Sequence, residues 1–490
     1  MESLLPDFVE SNFVQPDSTD SVWLVGLDFG STTTSALVAR GRLLRNCVTG
    51  RMELGEMVTH YRSPVVFTPL EGERLDEERL GRYLDEWMAA AGIERGRIAS
   101  GGAVVTGLAA QRANAGRVAH LVRSRCGDAL IATADDPRLE SWLAFMGNCL
   151  DLSHAEPGTP LVNLDIGGGT TNLAAGRDGQ VSRVGWYYVG ARHVTFEPGG
   201  YRLNGLSRYG SELVKHLGIH KGPGDVLDDH EIESVVDFYV TMLEDVIAGE
   251  PLTKECARLH VQVPFEPMHL EASAAQVAII TLSGGVGELA YRHALGQPLP
   301  GTTAYGDLGI DLARRITQSP ILSRSLTTHV PANQGRATLV GLTIHNVEVS
   351  GSTLFLPDSS RLPLSDLPIL GTLRWDASET EIRALVELAK AAGQGACLQV
   401  DCGPAESQPI KQLGARLAQA LTECRFPPDR PFVLLATSNV GKTLGQYASR
   451  WGRLNVQLIV IDEVSVREAR FVNLGRPCQG SVPVAFYGMH

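Results

Sequence analysis

The stretch from Val22 to Thr34 in this chain of 490 residues reads V-W-L-V-G-L-D-F-G-S-T-T-T. Its first six residues are mostly apolar, as expected of a buried strand. A glycine turn that starts at Asp28 follows, and a second short apolar run begins at Ala36. The pattern therefore predicts a strand, a glycine-containing turn and a returning strand.

The same unit occurs again between Leu161 and Ala175, where the loop reads D-I-G-G-G-T-T from Asp165. Both loops share the frame D-x-G-x-x-T. The tripeptide R-D-G that ends at Gly179 predicts a tight hairpin turn after the second returning strand. Internal repetition of this kind predicts two similar lobes, and we expect the two loops to face each other.

A third glycine cluster, S-G-G-V-G at 283–287, follows an apolar run and precedes a helix-like segment at 288–295. It predicts a strand, a loop and a helix. Beyond residue 350 the chain is interrupted by prolines, and short strand-like runs occur at 353–356, 432–435 and 458–461. We therefore divide the chain into an N-terminal appendage (1–20), a first lobe (21–157), a second lobe (158–350) and a C-terminal region (351–490).

The two repeated loops have the composition of phosphate-binding turns. Glycine lets backbone N–H groups approach an anion closely, and Ser and Thr hydroxyls add further donors. A carboxylate repels phosphate unless a cation lies between them, so Asp28 and Asp165 predict Mg²⁺ bound together with a nucleotide. Either loop alone is equally compatible with a hairpin that binds nothing. We assign both aspartates as metal ligands and expect nucleotide contacts from Gly30, Ser31, Thr32, Thr33, Gly167, Gly168, Gly169, Thr170, Ser283, Gly284, Gly285 and Val286.

Together the three segments resemble the phosphate-1, phosphate-2 and adenosine motifs of the actin-like ATPase superfamily, which also contains sugar kinases and heat-shock chaperones. More specifically, residues 25–34, 163–170 and 279–288 resemble segments of the ethanolamine ammonia-lyase reactivating factor family. Shorter likenesses occur at 63–69, 350–353 and 461–464, so the resemblance extends from about residue 22 almost to the C-terminus. It implies an α/β, two-lobed actin-like ATPase fold of duplicated ribonuclease-H-like domains, followed by a C-terminal α/β region.

The resemblance also implies a function. Such a factor is an ATP-dependent molecular chaperone that uses ATP and Mg²⁺ to release damaged cobalamin from ethanolamine ammonia-lyase, so that intact adenosylcobalamin enters. We then expect weak ATP hydrolysis, with Asp28, Asp165 and Glu140 as catalytic residues, because related chaperones carry a Glu near Glu140 that positions the attacking water. One departure is Leu108, which stands where we expect an acid after Thr106-Gly107.

Two rival functions remain open on the sequence. One is a small-molecule kinase of the same superfamily, for which we identify no general base. The other is a P-loop NTPase, because A-T-S-N-V-G-K-T at 436–443 nearly matches the P-loop spacing and Asp462 ends a later apolar run. Against the P-loop, the first glycine is replaced by Ala436, and the chain between Thr443 and Asp462 is little longer than one crossover helix.

Composition limits the partners and the compartment. The net charge of −12 disfavours general binding to nucleic acid or to membrane surfaces. No apolar run approaches the ~20 residues that span a bilayer, and the eight scattered cysteines indicate a reduced, cytoplasmic protein. Residues 1–20 have apolar positions at helical spacing. They predict a short helix that either packs on its own protein or docks on a partner such as a microcompartment shell.

Overall fold

The computed structural model of the protein describes residues 21–71, 74–127, 130–134, 136–266, 278–403 and 406–489. The helix predicted within residues 1–20 lies outside these ranges. No disulfide joins any of the eight cysteines, all of which lie in the described part of the chain.

The first lobe is built on a sheet with the strand order β3-β2-β1-β7-β8. β1 pairs antiparallel with β2, with Asp28 opposite Ser35, and parallel with β7. The predicted strand at Val22 is confirmed, and it is buried because it lies in the middle of the sheet. The elements of this part are β1 (Ser21–Phe29), β2 (Thr33–Arg45), β3 (Met52–Arg62), β4 (Val66–Phe67), β5 (Leu70–Glu71), β6 (Arg74–Leu75), α1 (Glu77–Ala90), β7 (Ile98–Val105), α2 (Ala115–Cys126), β8 (Leu130–Ala134) and α3 (Pro137–Ala155).

The second lobe has a sheet with the order β14-β11-β10-β9-β15. The predicted hairpin turn joins two of its strands, with left-handed φ angles of 50° at Asp178 and 75° at Gly179. The elements are β9 (Leu161–Ile166), β10 (Thr171–Arg177), β11 (Gln180–Tyr187), β12 (Val194–Phe196), β13 (Leu203–Leu206), α4 (Arg208–His216), α5 (Asp229–Ala248), α6 (Lys254–His260), β14 (Val261–Val263), β15 (Ile279–Ser283), α7 (Gly284–Ala294), α8 (Gly309–Gln318) and α9 (Ala337–Val340).

The two lobes repeat one pattern of strand pairing. In each, the first strand pairs antiparallel with the strand that follows its glycine loop and parallel with a later strand on its other side. The equivalent strands are β1, β2 and β7 in the first lobe and β9, β10 and β15 in the second. This duplication confirms the predicted two-lobed α/β fold.

The C-terminal region forms a third sheet, which β16 joins from just before residue 350, with the order β16-β22-β21-β17-β18-β19-β20, in which β17 to β20 are parallel. The elements are β16 (Val347–Val349), β17 (Leu364–Arg374), α10 (Glu379–Ala391), β18 (Ala396–Asp401), α11 (Ser407–Glu423), β19 (Pro431–Ala436), α12 (Gly441–Ala448), β20 (Gln457–Ile461), β21 (Ala469–Leu474) and β22 (Pro483–Met489).

One strand prediction in this region is wrong. The run from Thr353 to Leu356 forms no regular strand, and only Phe355 makes an isolated bridge, to Val460. Pro357, which has no N–H to extend a ladder, follows directly. The hydroxyl of Thr353 is instead hydrogen-bonded to Asp462.

Helices α3 and α9 cross at unusually short range. A Cβ added to Gly147 of α3 would lie 1.9 Å from the carbonyl oxygen of Ala337, and one added to Gly341 would lie 2.1 Å from that of Leu143. Backbone therefore meets backbone where the two helices cross, and only glycine fits at these two positions. We refer to this contact as the α3–α9 crossing.

Candidate functional site

The first glycine loop is a tight turn between β1 and β2. The N–H of Gly30 donates to the carbonyl of Thr33 at 2.9 Å. Thr68 holds the outside of the turn, because its hydroxyl donates to the Gly30 carbonyl at 2.7 Å and its N–H donates to the Thr32 carbonyl at 2.9 Å. The hydroxyl of Ser31 accepts the N–H of Leu108 at 2.6 Å.

The second loop closes in the same way between β9 and β10. The N–H of Gly167 donates to the carbonyl of Thr170 at 2.9 Å. Behind this loop, the N–H of Arg192 donates to the carbonyl of Gly168 at 2.5 Å. The sequence repeat therefore corresponds to a repeat of backbone hydrogen bonding.

The two loops face each other and are in contact. A Cβ added to Gly168 would lie 2.0 Å from Thr32 Oγ1, and one added to Gly169 would lie 3.0 Å from Ser31 Oγ. Thr32 Oγ1 is buried and has no hydrogen-bond partner among the described residues. The expectation that the loops oppose each other across the cleft is met, and glycine is required where they touch.

The Leu108 side chain occupies the position where the sequence led us to expect an acid. It contributes to the same contact, since a Cβ on Gly169 would lie 2.5 Å from Leu108 Cγ. An apolar side chain therefore packs on the second loop where a charged group would face the phosphates.

The two aspartates lie at the bases of the loops, and both are half-buried. Asp28 accepts a hydrogen bond from the Thr106 hydroxyl at 3.3 Å. Asp165 accepts hydrogen bonds from Ser283 at 2.7 Å and from Thr338 at 3.2 Å. Burial, and secondly the charge of Asp165, raise the pKa of Asp28 to about 7, and burial raises the pKa of Asp165. Two carboxylates held this way favour a cation between or beside them.

Glu140 lies beneath this pair in α3, and its side chain is buried. Its Oε2 accepts hydrogen bonds from Asn172 and from Trp186, each at 3.3 Å. Burial raises the pKa of Glu140 well above its ordinary value. Since Asn172 also hydrogen-bonds Asp165, the structure links the predicted catalytic residues Glu140 and Asp165.

The four residues expected to contact adenosine have different environments. The Ser283 hydroxyl donates a hydrogen bond to Asp165, and it accepts one from the Asn163 side chain at 2.9 Å. The Val286 side chain lies in the core of the second lobe, so only its backbone can face a ligand. Gly284 has a φ of 78°, and a Cβ there would lie 2.5 Å from the Ile166 carbonyl oxygen. Gly285 is exposed, with open space where a Cβ would be.

Comparison with known sequences identifies the family. A family model described as "Ethanolamine utilisation protein EutA" matches residues 20–487. The chain belongs to the EutA family. A relative from Escherichia coli K12, named "Ethanolamine ammonia-lyase reactivase EutA", is 30% identical over 95% of this chain and 98% of its own length. A relative of the same name from Salmonella typhimurium is 29% identical over the same shares of both chains.

Solved structures match this EutA family member only distantly. An exopolyphosphatase-like protein is 16% identical and covers 66% of this chain and 98% of its own, with a TM-score of 0.38. EutJ from Carboxydothermus hydrogenoformans is 13% identical and covers 68% and 90%, with a TM-score of 0.28. MreB 5 of Spiroplasma citri bound to AMPPNP is 13% identical and covers 62% and 97%, with a TM-score of 0.27. All three TM-scores are below 0.5, so the fold of the chain is assigned from its own strand pairing.

The segment at 436–443 has the strand, loop and helix of a P-loop, but the helix terminus is already capped. Asp462 Oδ2 accepts the N–H of Gly441, the first residue of α12, at 3.1 Å. Asp462 therefore places its own carboxylate where a P-loop would bind phosphate. The geometry of this EutA chain argues against a nucleotide at this position.

Sequence reasoning missed three residues that shape the EutA site. Asn172 follows the second loop directly and faces Asp165 across β9 and β10, so its spacing could have revealed it. Thr68 lies within the short likeness at 63–69. Thr338 reaches Asp165 from α9 and has no nearby motif that would have indicated its role.

Among the described residues, no helix has the length and apolar character needed to cross a bilayer.

Proposed function

We propose that this EutA family member is an ATP-dependent reactivase of ethanolamine ammonia-lyase. The observation that carries the proposal is the pair of matched D-x-G loops, one from each lobe, in contact at Thr32 and Gly168. The curated names of the two relatives supply the partner. The proposed nucleotide is ATP with Mg²⁺, and the proposed outcome is exchange of damaged cobalamin for adenosylcobalamin.

The described residues fit such a ligand. Thr32 Oγ1 is a buried hydroxyl without a partner among the described residues, and the facing Gly168 and Gly169 bring only backbone to the contact from the second loop. Asp28 and Asp165 would hold Mg²⁺, which neutralises charge on the phosphates when it is bound. The backbone N–H groups and hydroxyls of both loops would bind phosphate oxygens.

Contact between the loops suggests how binding is coupled to movement. Thr32 and Gly168 touch, so phosphates placed between them have to part the two loops. Each loop belongs to a different lobe, and parting them changes the angle between the lobes. A partner that prefers one angle is then bound or released according to the nucleotide.

We further propose that the first lobe (21–157) and the second lobe (158–350) move relative to each other, and that the C-terminal region (351–490) moves with the first lobe, because Ala485 and Tyr487 share a buried core with Val22 and Leu24. In this proposal Glu140 positions the attacking water during weak ATP hydrolysis. Placement in the cytoplasm, with or without attachment to a microcompartment through residues 1–20, also belongs to the proposal.

The proposal is tested by reactivation. Ethanolamine ammonia-lyase is inactivated by turnover, the full chain is added with ATP, Mg²⁺ and free adenosylcobalamin, and recovered lyase activity is measured. We expect recovery with ATP and none with the Asp165→Ala variant. Absence of recovery with the matching lyase, from a chain shown to bind ATP, would remove the assigned partner but keep the nucleotide site.

A further inference from the structure

Two short segments that the nucleotide site does not use lie against each other in the C-terminal region. They are S-G-S-T at 350–353, before β17, and I-D-E-V at 461–464, at the end of β20. The N–H of Gly351 donates to the Asp462 carbonyl at 2.9 Å, and the Thr353 hydroxyl bonds Asp462 Oδ2 at 2.5 Å. The same hydroxyl lies 2.6 Å from the acceptor Oδ1 of Asn439, in the loop before α12, so that its one proton is shared between Asn439 and Asp462.

One carboxylate oxygen in this cluster has no partner. The Asp462 side chain is 0% exposed. Its Oδ2 is satisfied by Thr353 and by the N–H of Gly441, but its Oδ1 is buried without any hydrogen-bond partner among the described residues. A buried charged oxygen without a partner costs free energy, so this geometry calls for a positive ligand.

The unpartnered oxygen is aimed at a second carboxylate. A Cβ added to Gly351 would lie 2.7 Å from Asp462 Oδ1 and 2.2 Å from Glu463 Oε2. Both oxygens are near the same point, so they lie at most about 4.9 Å apart, a separation that one Ca²⁺ with oxygen ligands at about 2.3–2.6 Å can bridge. Glu463 is itself held at a left-handed φ of 59°, which turns its side chain toward Gly351.

No side chain of the described residues neutralises the pair by an ion pair. Arg45 and Arg51 of the first lobe act on Glu463 only through their field, and the Asn439 side chain hydrogen-bonds Glu463. Arg51 donates to the carbonyl of Thr437 at 3.0 Å. The negative charge therefore remains available to a ligand.

We propose that Asp462 and Glu463, with the neutral oxygens of Thr353 and Asn439, bind a divalent cation. Two carboxylates, two neutral oxygens and water are a ligand set that suits Mg²⁺ or Ca²⁺. The described residues contain no cluster of three or more His, Cys, Asp and Glu side chains, so a thiolate or imidazole site for zinc has no counterpart here. The cation would fasten the end of β20 to the segment that enters β17.

Mn²⁺ binding, measured by electron paramagnetic resonance without nucleotide, tests this site. The full chain is used in an Asp165→Asn background, so that the nucleotide site contributes little. We expect one bound Mn²⁺, and we expect Asp462→Asn and Glu463→Gln each to weaken binding at least ~10-fold. Glu463→Gln is the safer variant, since Glu463 does not cap α12.

The matched control is Asp401→Asn, which removes an exposed carboxylate at the end of β18, a strand of the same sheet. It should leave Mn²⁺ affinity unchanged. A dissociation constant weaker than about 1 mM would overturn the proposal. So would equal affinities in Glu463→Gln, Asp462→Asn and Asp401→Asn. These outcomes do not depend on ATP or the lyase, so the cation site and the proposed function succeed or fail separately.

Discussion

Asn172 and Glu140 are joined by a hydrogen bond of 3.3 Å from the amide Nδ2 to the carboxyl Oε2. The same side chain hydrogen-bonds Asp165, so a residue of the second glycine unit links Asp165 to helix α3 of the first lobe. In the proposed function, a change at Asp165 reaches α3 by this route.

Asp165 is the most direct test of the nucleotide site. We expect Asp165→Ala to abolish Mg²⁺-dependent ATP turnover, because it removes a proposed metal ligand and the acceptor of the Ser283 and Thr338 hydroxyls. Phosphate release is the measurement. Asp151→Ala, an exposed aspartate near the end of α3, is the control. Turnover equal to the wild type in the Asp165 variant would contradict the site assignment.

Glu140→Gln tests the hydrolytic role. Gln preserves an acceptor for Asn172 and Trp186 but cannot accept a proton from water. We expect kcat to fall by about 10²-fold or more while the affinity for Mg²⁺-ATP stays the same. The control is Glu156→Gln, at the other end of α3. An unchanged kcat would assign Glu140 to packing alone.

The loop contact is suited to a double-mutant cycle. Gly168→Ala places a Cβ 2.0 Å from Thr32 Oγ1, and overpacking of this kind costs about 1–3 kcal/mol. Thr32→Ala removes the clashing hydroxyl, so we expect the double variant to recover most of the stability lost in Gly168→Ala. Thermal unfolding measures it, and Gly200→Ala, where a Cβ meets open space, is the control. Strictly additive effects would mean that the loops do not touch in solution.

Asp28 predicts how stability depends on pH without metal and nucleotide. Burial raises its pKa from 3.8 to about 7, so the folded chain holds a proton that the unfolded chain releases near pH 4. The contribution of Asp28 to stability is therefore fully present below about pH 4 and is lost as the pH rises through about 7. Asp28→Asn should remove part of this loss, on the order of 1 kcal/mol at pH 8. Unfolding in EDTA between pH 4 and 8 measures it, and parallel curves for wild type and variant would disprove it.

Lys442→Ala distinguishes the actin-like site from the P-loop. The N-terminus of α12 is capped by Asp462, so the lysine of the P-loop-like segment has no phosphate to bind. We expect ATP turnover within about twofold of the wild type, a change worth less than ~0.5 kcal/mol. Loss of turnover in a normally folded variant would restore the P-loop hypothesis.

Short sequence patterns predicted the parts of the site that are formed by residues close together in the chain. The D-x-G-x-x-T frames identified both loops, and their repetition predicted the paired lobes, because such turns need glycine wherever they occur. Asp28 and Asp165 were predicted from these frames and Glu140 from the resemblance, and their roles remain predictions.

Contacts between distant segments were not predictable in the same way. Thr338 reaches Asp165 from α9, and nothing around residue 338 indicates a ligand site. The strand predicted at Thr353 is wrong, because the Thr353 hydroxyl bonds Asp462, more than a hundred residues away in the chain. The spacing of apolar residues does not indicate a contact of this kind.

The α3–α9 crossing lies beside the proposed nucleotide site and is a point about which the helices can rotate. Backbone contacts backbone at Gly147 and Gly341, so no interlocking side chains oppose a rotation about that point. Both crossing helices also reach the carboxylates, α3 through Glu140 and α9 through Thr338. In the proposed function, the hydrogen-bond partners around Asp165 therefore lie at the crossing itself, so that a small displacement of Asp165 there would become a large movement at the outer ends of the lobes.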